Sequence, residues 1–261
     1  MTDYACDLHM HSCLSPCADN DMTPSNVAGM AFLNGIKIAA LTDHNSCDNC
    51  PAFFDACRTV GVLPIAGMEL ESAEEIHLVC LFVTLAQAMA FGQAVAAHRM
   101  HVENRPEIFG DQLIMNEQDE VLGREKQLLI CATDLSLEQA VSLVRAHGGA
   151  VYPAHIDRRS NGLLAILGDF PARPVFSAAE FHDPQQLQRY RRMNERYRSL
   201  HLVSASDAHR LCDISEGEHV LPGDIFPYRW NRWNKILRGD TCCTGWTKRF
   251  CSNDGIWVHG V

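Results

Sequence analysis

The chain has 261 residues, of which 47% are hydrophobic, and it carries a formal net charge of −10 at pH 7. This composition predicts one large core. The acidic balance argues against a protein that coats long nucleic acid, because that role needs a basic surface. No apolar run approaches the roughly 18 residues of a membrane span, and no signal peptide is visible. We therefore expect a cytoplasmic protein with reduced cysteines and no membrane partner.

Apolar runs alternate with helix-capping and turn residues over the first third of the chain. Thr23 followed by Pro24 is typical of a helix start, and Gly35 is typical of a helix end. The uninterrupted apolar run at 36–41 indicates a strand that is buried on both faces. In chain order the pattern predicts a strand at 4–8, a helix at 24–34, a strand at 36–41, a helix at 51–60, and strands at 62–67 and 76–83.

The alternation breaks between residues 85 and 126. An alanine-rich stretch at 85–98 predicts a helix, and two short apolar stretches that flank the polar turn 116–119 predict a hairpin. We interpret 85–126 as an insertion in a single domain that spans residues 1–261, and such insertions often act as lids. The pattern then predicts a helix after Ser136, strands at 150–154, 175–181 and 200–204, an exposed helix at 184–198, and a tryptophan-rich closing segment at 211–261.

Histidine, aspartate and glutamate follow most of these predicted strands. His9 and His11 are two residues apart, so both side chains face one side of an extended strand and can bind one ion. Parallel barrel strands end on one face, where these side chains should converge; only His77 stands near the start of its strand. We expect Asp7 to orient a histidine ligand. Seven short stretches carry candidate donors that suit zinc, manganese or iron: Asp7, His9 and His11; Asp43 and His44; Glu69; His77; His155; Glu180 and His182; and Asp207 and His209.

Each motif has a simpler interpretation when it is taken alone. A pair of surface histidines explains the first motif, a helix cap explains Asp207, and a solvated acidic loop explains the run that begins at Glu69. Cys47-x-x-Cys50 lacks the second cysteine pair that a structural four-cysteine site would need. The metal interpretation therefore depends on all the motifs occurring together.

Five short motifs carry a resemblance to a known family: DLHMHS from Asp7, TDHN from Thr42, GMEL from Gly67, PAHIDR from Pro153 and SDAH from Ser206. Together they resemble the PHP (polymerase and histidinol phosphatase) family over about residues 3–215. The resemblance implies an α/β fold, a distorted (β/α)7 TIM-like barrel with a small inserted helix and hairpin segment. It also implies a trinuclear metal centre that hydrolyses phosphate esters. We expect two or three bound divalent metals, which are manganese, iron or zinc, with magnesium as an alternative.

The resemblance further implies which residues hold each ion. The first ion would bind His9, His11, Glu69 and Asp207; the second would bind Glu69 as a bridge, His77 and His155; the third would bind His44, His209 and one residue from the loop after His11. At that last position this chain departs from the family pattern. Asp19 matches if two residues are inserted before it, and Cys17 stands where other members carry a histidine. We favour Asp19 as the ligand, with Cys17 as the alternative.

These features predict a phosphoesterase that acts on a small phosphorylated substrate and not on long nucleic acid. Arg158 or Arg159, next to His155, would bind phosphate oxygens, and His182 or His209 would protonate the leaving group. One alternative is exonuclease-like action on short oligonucleotides or nucleoside bisphosphates. Another is an amidohydrolase, although no lysine is placed to supply the carboxylated bridge that many of those enzymes use. A third is a non-catalytic metal-binding module.

Overall fold

The computed structural model describes residues 4–183, 190, 192, 197 and 200–221. Most of the helix predicted at 184–198, and the tryptophan-rich segment after residue 221, lie outside the described residues. None of the helices within the described ranges combines the length and the apolar character that a membrane span requires.

Strands and helices alternate along most of the described chain. The strands are β1 (Tyr4–Asp7), β2 (Ile38–Leu41), β3 (Leu63–Glu71), β4 (His77–Phe82), β5 (Leu113–Met115), β6 (Val121–Arg124), β7 (Ala150–Pro153), β8 (Ala178–Glu180), β9 (His201–Val203) and β10 (Val220–Leu221). The helices are α1 (Pro24–Leu33), α2 (Cys50–Val60), α3 (Leu85–Ala96), α4 (Pro106–Phe109), α5 (Leu137–Ala146) and α6 (Leu163–Leu167).

Capping residues begin and end the helices where the sequence predicts. The Thr23 hydroxyl accepts the Asn26 N–H at 3.2 Å at the start of α1, and Ser136 forms a reciprocal capping box with Gln139 at the start of α5. Gly61 ends α2 with a φ of +79°, which is a left-handed conformation that glycine adopts without a steric cost. These helices therefore begin and end for local reasons that can be read from the sequence.

Six of the described strands form one curled sheet in the order β10-β1-β2-β3-β4-β7, and β8 pairs with β9 in a second, parallel pair. β1, β2 and β3 run parallel. A parallel β-bridge between Met10 and Ala208 places the segment after β9 beside the segment after β1. The described residues thus form an α/β fold with a sheet that curls into a half-barrel.

The reversed direction of β4 is the main departure from the expected barrel. β4 is antiparallel to both β3 and β7, so the described strands only partly reproduce the seven parallel strands that the family resemblance implies. His77 lies opposite Glu71 in the β3–β4 pair. Because of this reversal, the start of β4 lies at the edge where β3 ends. His77 therefore reaches the ligand-bearing edge although it stands first in its strand.

Most of the described core lies in two apolar clusters, one on each face of the sheet, and a small third cluster joins Cys13 to the hairpin residues Leu113 and Met115. Alternate residues of a strand face opposite sides, and β2 shows the consequence. Its Ala39 and Leu41 pack with the surrounding helices, while Ile38 and Ala40 belong to the apolar cluster on the inner side of the curled sheet. The expectation that this strand is buried on both faces is confirmed.

The predicted hairpin is observed as β5 and β6. The preceding helix α3 packs into the main core through Phe91, which contacts Phe82, so the projecting part of the 85–126 interval begins after α3. The hairpin binds the loops after β1 and β2: the Asn49 side chain donates to Leu113 O at 3.0 Å and accepts from Met115 N at 2.9 Å. Both loops leave the ligand-bearing edge, so the hairpin lies beside that edge.

Candidate metal centre

Glu69, near the end of β3, is buried and is surrounded by five imidazoles of the described residues. Its two carboxylate oxygens face different rings. Oε1 lies 3.3 Å from His9 Nε2, 2.9 Å from His77 Nδ1 and 3.1 Å from His155 Nε2, and Oε2 lies 3.3 Å from His11 Nε2 and 3.1 Å from His44 Nδ1. A carboxylate whose oxygens face two sets of nitrogens can bridge two cations.

Asp207 brings a second carboxylate to the same place. Its Oδ1 lies 3.3 Å from both His9 Nε2 and His11 Nε2. Asp207 has a φ of +52°, an uncommon backbone conformation for a non-glycine residue, and such strain is often found at functional sites. Within the described residues, donor atoms come within 4.8 Å of one another in three groups: His9, His11, Glu69 and Asp207; His44, Glu69 and His77; and His11, His44 and His209.

The hydrogen bonding of this cluster fits a metal site. Buried polar atoms in proteins nearly always have a hydrogen-bond partner. Here Nδ1 of His44, Nδ1 of His77 and Oδ1 of Asp207 are buried and form no hydrogen bond, although each lies within 3.3 Å of another donor or acceptor atom of the cluster. Nε2 of His9 and Nε2 of His11 also face each other at 3.3 Å. Lone pairs that point at a common place in this way are stabilised by a cation between them, so these residues fit a polynuclear metal centre.

Two of the rings, those of His9 and His11, are oriented by a partner at Nδ1, the nitrogen that faces away from the cluster. His9 Nδ1 lies 3.0 Å from Glu180 Oε2, and His11 Nδ1 lies 2.9 Å from Ser15 Oγ. Metal-bound histidines typically donate their second N–H to such a partner, which sets the tautomer and the ring orientation. The expectation that Asp7 orients a ring was wrong. Its carboxylate accepts from the backbone N–H groups of His9 and Ser206 and from the Ser215 hydroxyl, and among the described residues it makes no hydrogen bond to an imidazole ring.

The sequence pointed to the stretch Glu180–His182 but assigned Glu180 no role. Glu180 is the last residue of β8, and Glu69 likewise lies near the end of a buried strand. The sequence does not reveal which of the two acids, Asp7 or Glu180, contacts the His9 ring, because the contact joins residues 171 positions apart. Ser15 was missed for a similar reason, since a loop serine carries no local signal of a buried role.

The charges of the cluster shift several pKa values. Burial raises the pKa of Glu69, but the imidazoles of His77, His9 and His44 outweigh it and hold that pKa well below its usual range. Burial lowers the pKa of His44 well below its ordinary value. At His77 burial also lowers the pKa, yet the Glu69 carboxylate outweighs it and raises the value to about 10. An ionised Glu69 and a neutral His44 are the forms that bind a metal.

The remaining predicted ligand is not brought into the cluster. The Asp19 side chain is 62% exposed, and its Oδ2 lies 3.8 Å from Arg210 Nε. Cys17 is also exposed. The protein atoms that displace water around its thiol, and then the negative charge of the nearby Glu69 carboxylate, raise the pKa of that thiol to about 12. Neither residue belongs to the three donor groups formed by the described residues, so the role of Asp19, with Cys17 as its alternative, stays a prediction.

The predicted catalytic residues occupy different positions. Arg158 Nη1 lies 2.6 Å from Asp207 Oδ2 and therefore contacts the cluster, while Arg159 is exposed. His209 stacks on His11 with ring centroids 4.1 Å apart, and burial, followed by the charge of His11, lowers its pKa to about 4. The His182 ring is exposed, and its backbone N–H donates to Asp157 at 2.8 Å.

Comparison with known proteins identifies the family and the fold. The model of the PHP domain family matches residues 7–167, whereas a search of curated proteins finds no match. The lesion-specific endonuclease Q from Pyrococcus furiosus has a similar structure, with a TM-score of 0.63 at 17% identity over 92% of this chain and 57% of that chain. Endonuclease Q in complex with a 27-mer duplex that has an abasic lesion at the active site gives a TM-score of 0.56 at 18% identity over 80% of this chain and 50% of that chain.

Two further solved proteins share the fold over nearly their whole length. A candidate metal-dependent phosphoesterase from Bifidobacterium adolescentis gives a TM-score of 0.53 at 15% identity over 79% of this chain and 88% of that chain. An amidohydrolase from Chromobacterium violaceum, solved with sulfate and no metal, gives a TM-score of 0.56 at 20% identity over 89% of this chain and 96% of that chain. By contrast, this chain spans only about half the length of the endonuclease Q chains. At these identities the likeness shows the fold alone.

One expectation from the sequence must be corrected. The exclusion of long nucleic acid as a partner was wrong, because the same fold serves endonuclease Q, which is solved on a 27-mer duplex. The exclusion depended on the net charge of −10. That value describes the whole surface, whereas divalent cations at a site reverse the sign of the field locally.

Proposed function

Because this chain belongs to the PHP domain family of metal-dependent hydrolases, we propose that it hydrolyses phosphate esters at the centre around Glu69. The observation that carries the proposal is the convergence of five imidazoles on one buried carboxylate, whose two oxygens face different rings. Such a donor set suits several divalent cations held close together.

The proposed ligands follow the donor groups in part. One ion would be held by His9, His11, Glu69 and Asp207, a second by Glu69, His77 and His155, and a third by His44, His209 and a loop residue, for which Asp19 is proposed and Cys17 is the alternative. The donor groups differ in that they join His44 to Glu69 and His77, and His11 to His44 and His209. Manganese, iron, zinc or magnesium bound there would lower the pKa of water and polarise phosphate oxygens. Glu69 would serve both of the first two ions, because its carboxylate lies within 3.3 Å of His9 and His11 of the first set and of His77 and His155 of the second.

Arg158 is the residue proposed to bind the phosphate. It is about one-third exposed, so its guanidinium can reach a ligand in solvent, yet it contacts Asp207 at the cluster. A guanidinium can bind two phosphate oxygens at once and stabilise the charge that develops on them. Arg159 lies next to it in the chain but is exposed, which supports a weaker contribution.

His182 is proposed to protonate the leaving group. A histidine that binds a metal has no free lone pair with which to carry a transferable proton, and His209 belongs to one of the donor groups. His182 lies two residues beyond Glu180, at the same end of β8, and its ring is exposed. It is therefore available to exchange protons with both solvent and substrate.

The substrate class is proposed to include phosphodiesters of DNA or short oligonucleotides as well as small phosphate esters. Endonuclease Q supports the former and the Bifidobacterium protein the latter, each through its fold. An amidohydrolase reaction is the second candidate, supported by the Chromobacterium structure. Against it, neither described lysine follows a strand that carries a donor: Lys37 precedes β2, and Lys126 follows the hairpin strand β6.

The test is a substrate panel with the full chain, loaded with manganese after treatment with a chelator. The panel contains p-nitrophenyl phosphate, bis(p-nitrophenyl) phosphate, duplex DNA with and without an abasic site, and dihydroorotate as a cyclic amide. We expect turnover of at least one phosphoester, lost on chelation and in Glu69→Gln. Turnover of the cyclic amide alone would assign the amidohydrolase activity, and bound metal without any turnover would indicate a non-catalytic module.

A further inference from the structure

A buried hydrogen-bond network lies behind the donor cluster and is centred on the Asp43 carboxylate. Its members Ser12, Ser15 and Asp43 are almost completely buried. Asp43 Oδ1 accepts from Ser12 N and from Ser15 Oγ, both at 2.7 Å, and Oδ2 accepts from Ser12 Oγ at 2.6 Å. This carboxylate does not belong to any of the three donor groups of the described residues, so its role differs from that of Glu69.

The hydrogen bonds at Asp43 set the direction of the Ser15 hydroxyl proton. Three donors point at its two oxygens, Ser12 N and Ser15 Oγ at Oδ1 and Ser12 Oγ at Oδ2, and this pattern suits an ionised carboxylate, which only accepts. Ser15 must therefore donate its hydroxyl proton to Oδ1. Its oxygen also accepts the His44 N–H at 3.1 Å. One lone pair of the Ser15 oxygen remains, and it faces His11 Nδ1 at 2.9 Å.

From this geometry we infer that Ser15 and Asp43 lock His11 in the tautomer that carries its proton on Nδ1. Only an Nδ1–H can make a hydrogen bond to an oxygen whose own proton is committed elsewhere. The lone pair of the ring then lies on Nε2, which points at Glu69 Oε2 and at Asp207 Oδ1, each 3.3 Å away. Ser15 and Asp43 are thus positioning residues for His11.

The lock differs from the one at His9, where Glu180 contacts the ring directly. At His11 a serine hydroxyl stands between the ring and the carboxylate, and the same hydroxyl holds the backbone of His44. One buried group therefore orients donors from the segments after β1 and after β2. The benefit to metal binding rests on the proposed function, whereas the tautomer itself does not.

The experiment compares two serines that donate to the same carboxylate. Ser15→Ala removes the group that faces His11, while the matched control Ser12→Ala removes a hydroxyl bound to the other oxygen of Asp43. Ser15→Thr keeps a hydroxyl at position 15. The tautomer is read from proton–nitrogen correlation spectra of the rings in isotope-labelled, chelator-treated full chain. The spectra are recorded along a pH titration up to the range where the His11 ring is neutral, because the carboxylates of Asp207 and Glu69 outweigh the effect of burial and raise the pKa of His11 above its ordinary value. His11 is assigned by the signal that His11→Gln removes, and zinc affinity is measured in parallel.

We expect the wild type, Ser12→Ala and Ser15→Thr to show His11 protonated on Nδ1, and Ser15→Ala to show a mixture or the Nε2 form. Zinc should bind roughly tenfold to a hundredfold more weakly to Ser15→Ala, as for other changes behind a metal ligand. A wild-type His11 protonated on Nε2 would overturn the inference, even if no variant folded. So would equal changes in Ser12→Ala and Ser15→Ala. Failure of the wild type to bind zinc, with the Nδ1 tautomer present, would instead count against the proposed function.

Discussion

The donor cluster around Glu69 and the rim around it differ in how their side chains are held. In the cluster the donors of His9, His11 and Glu69 are buried, and the second nitrogen of each of the two rings has its own partner. The rim, which we define as Cys17, Asp19, Arg158, Arg159 and His182, consists of loop residues that are partly or fully exposed.

This difference shows which part of the site folding has already positioned. The cluster donors stand at strand ends, so packing of the sheet fixes their places before any ion or substrate binds. The rim residues lack such support and are free to adjust to a ligand. We therefore expect substitutions in the cluster to change metal content, and substitutions in the rim to change kinetics while the metals stay bound.

The largest effect is expected from Glu69→Gln. The amide keeps the shape but loses the charge and one of the two accepting oxygens, so metal should be lost at two sites together. Activity should fall by about a thousandfold or more, since metal ions contribute several kcal/mol to such reactions. Elemental analysis and turnover measure both effects, with Glu75→Gln in the exposed part of the same acidic run as the control. Loss of metal at one site alone would refute the bridging role.

Asp19 is an exposed residue of the rim that is nevertheless predicted to bind an ion, so it is the exception to the expected difference between cluster and rim. If it does, Asp19→Ala should deplete one ion and lower activity, while Cys17→Ser leaves both nearly intact. Metal analysis of the two variants decides between them. The opposite result would assign the ligand to Cys17, and mild oxidation should then inactivate the enzyme.

The arginines of the rim should affect catalysis without changing metal content. We expect Arg158→Ala to lower the turnover of every phosphoester by about tenfold to a hundredfold, because stabilisation of the phosphate charge is common to all of them. The neighbouring Arg159→Ala is the matched control and should have a smaller effect, since its side chain is exposed. Loss of metal from Arg158→Ala would show that its ion pair with Asp207 supports the cluster instead.

The smallest effect on overall activity is expected from the hairpin. Replacing the turn 116–119 by a two-residue Asn-Gly turn should change the ranking of substrates by about tenfold, because the hairpin lies beside the ligand-bearing edge. Its measure is kcat/KM over the substrate panel. Ser25→Ala removes the contact between Ser25 and Asp119 while keeping the turn, and thus controls for that contact. Equal scaling of all substrates would contradict a role of the hairpin in specificity.

Much of the fold and of the donor set could be predicted from the sequence. The strand at 36–41, the hairpin and eight donors after strands or at their edges follow from local patterns, and the structure brings those eight together. The partners Glu180 and Ser15 could not be predicted in their roles. Glu180 has a strand-end position but contacts His9 across the fold, and a short polar side chain in a loop shows no sign of being buried.

The sequence by itself determined which side chains are available as metal donors and that most of them follow strands, because both properties depend on residues close together in the chain. Only the tertiary structure decided that β4 runs antiparallel and so brings His77 to the common edge. It also decided that the His9 ring is contacted by Glu180, while Asp7 accepts the backbone N–H of His9. These outcomes depend on strand directions and on contacts between distant segments, which the packing of the whole sheet determines and local patterns do not encode.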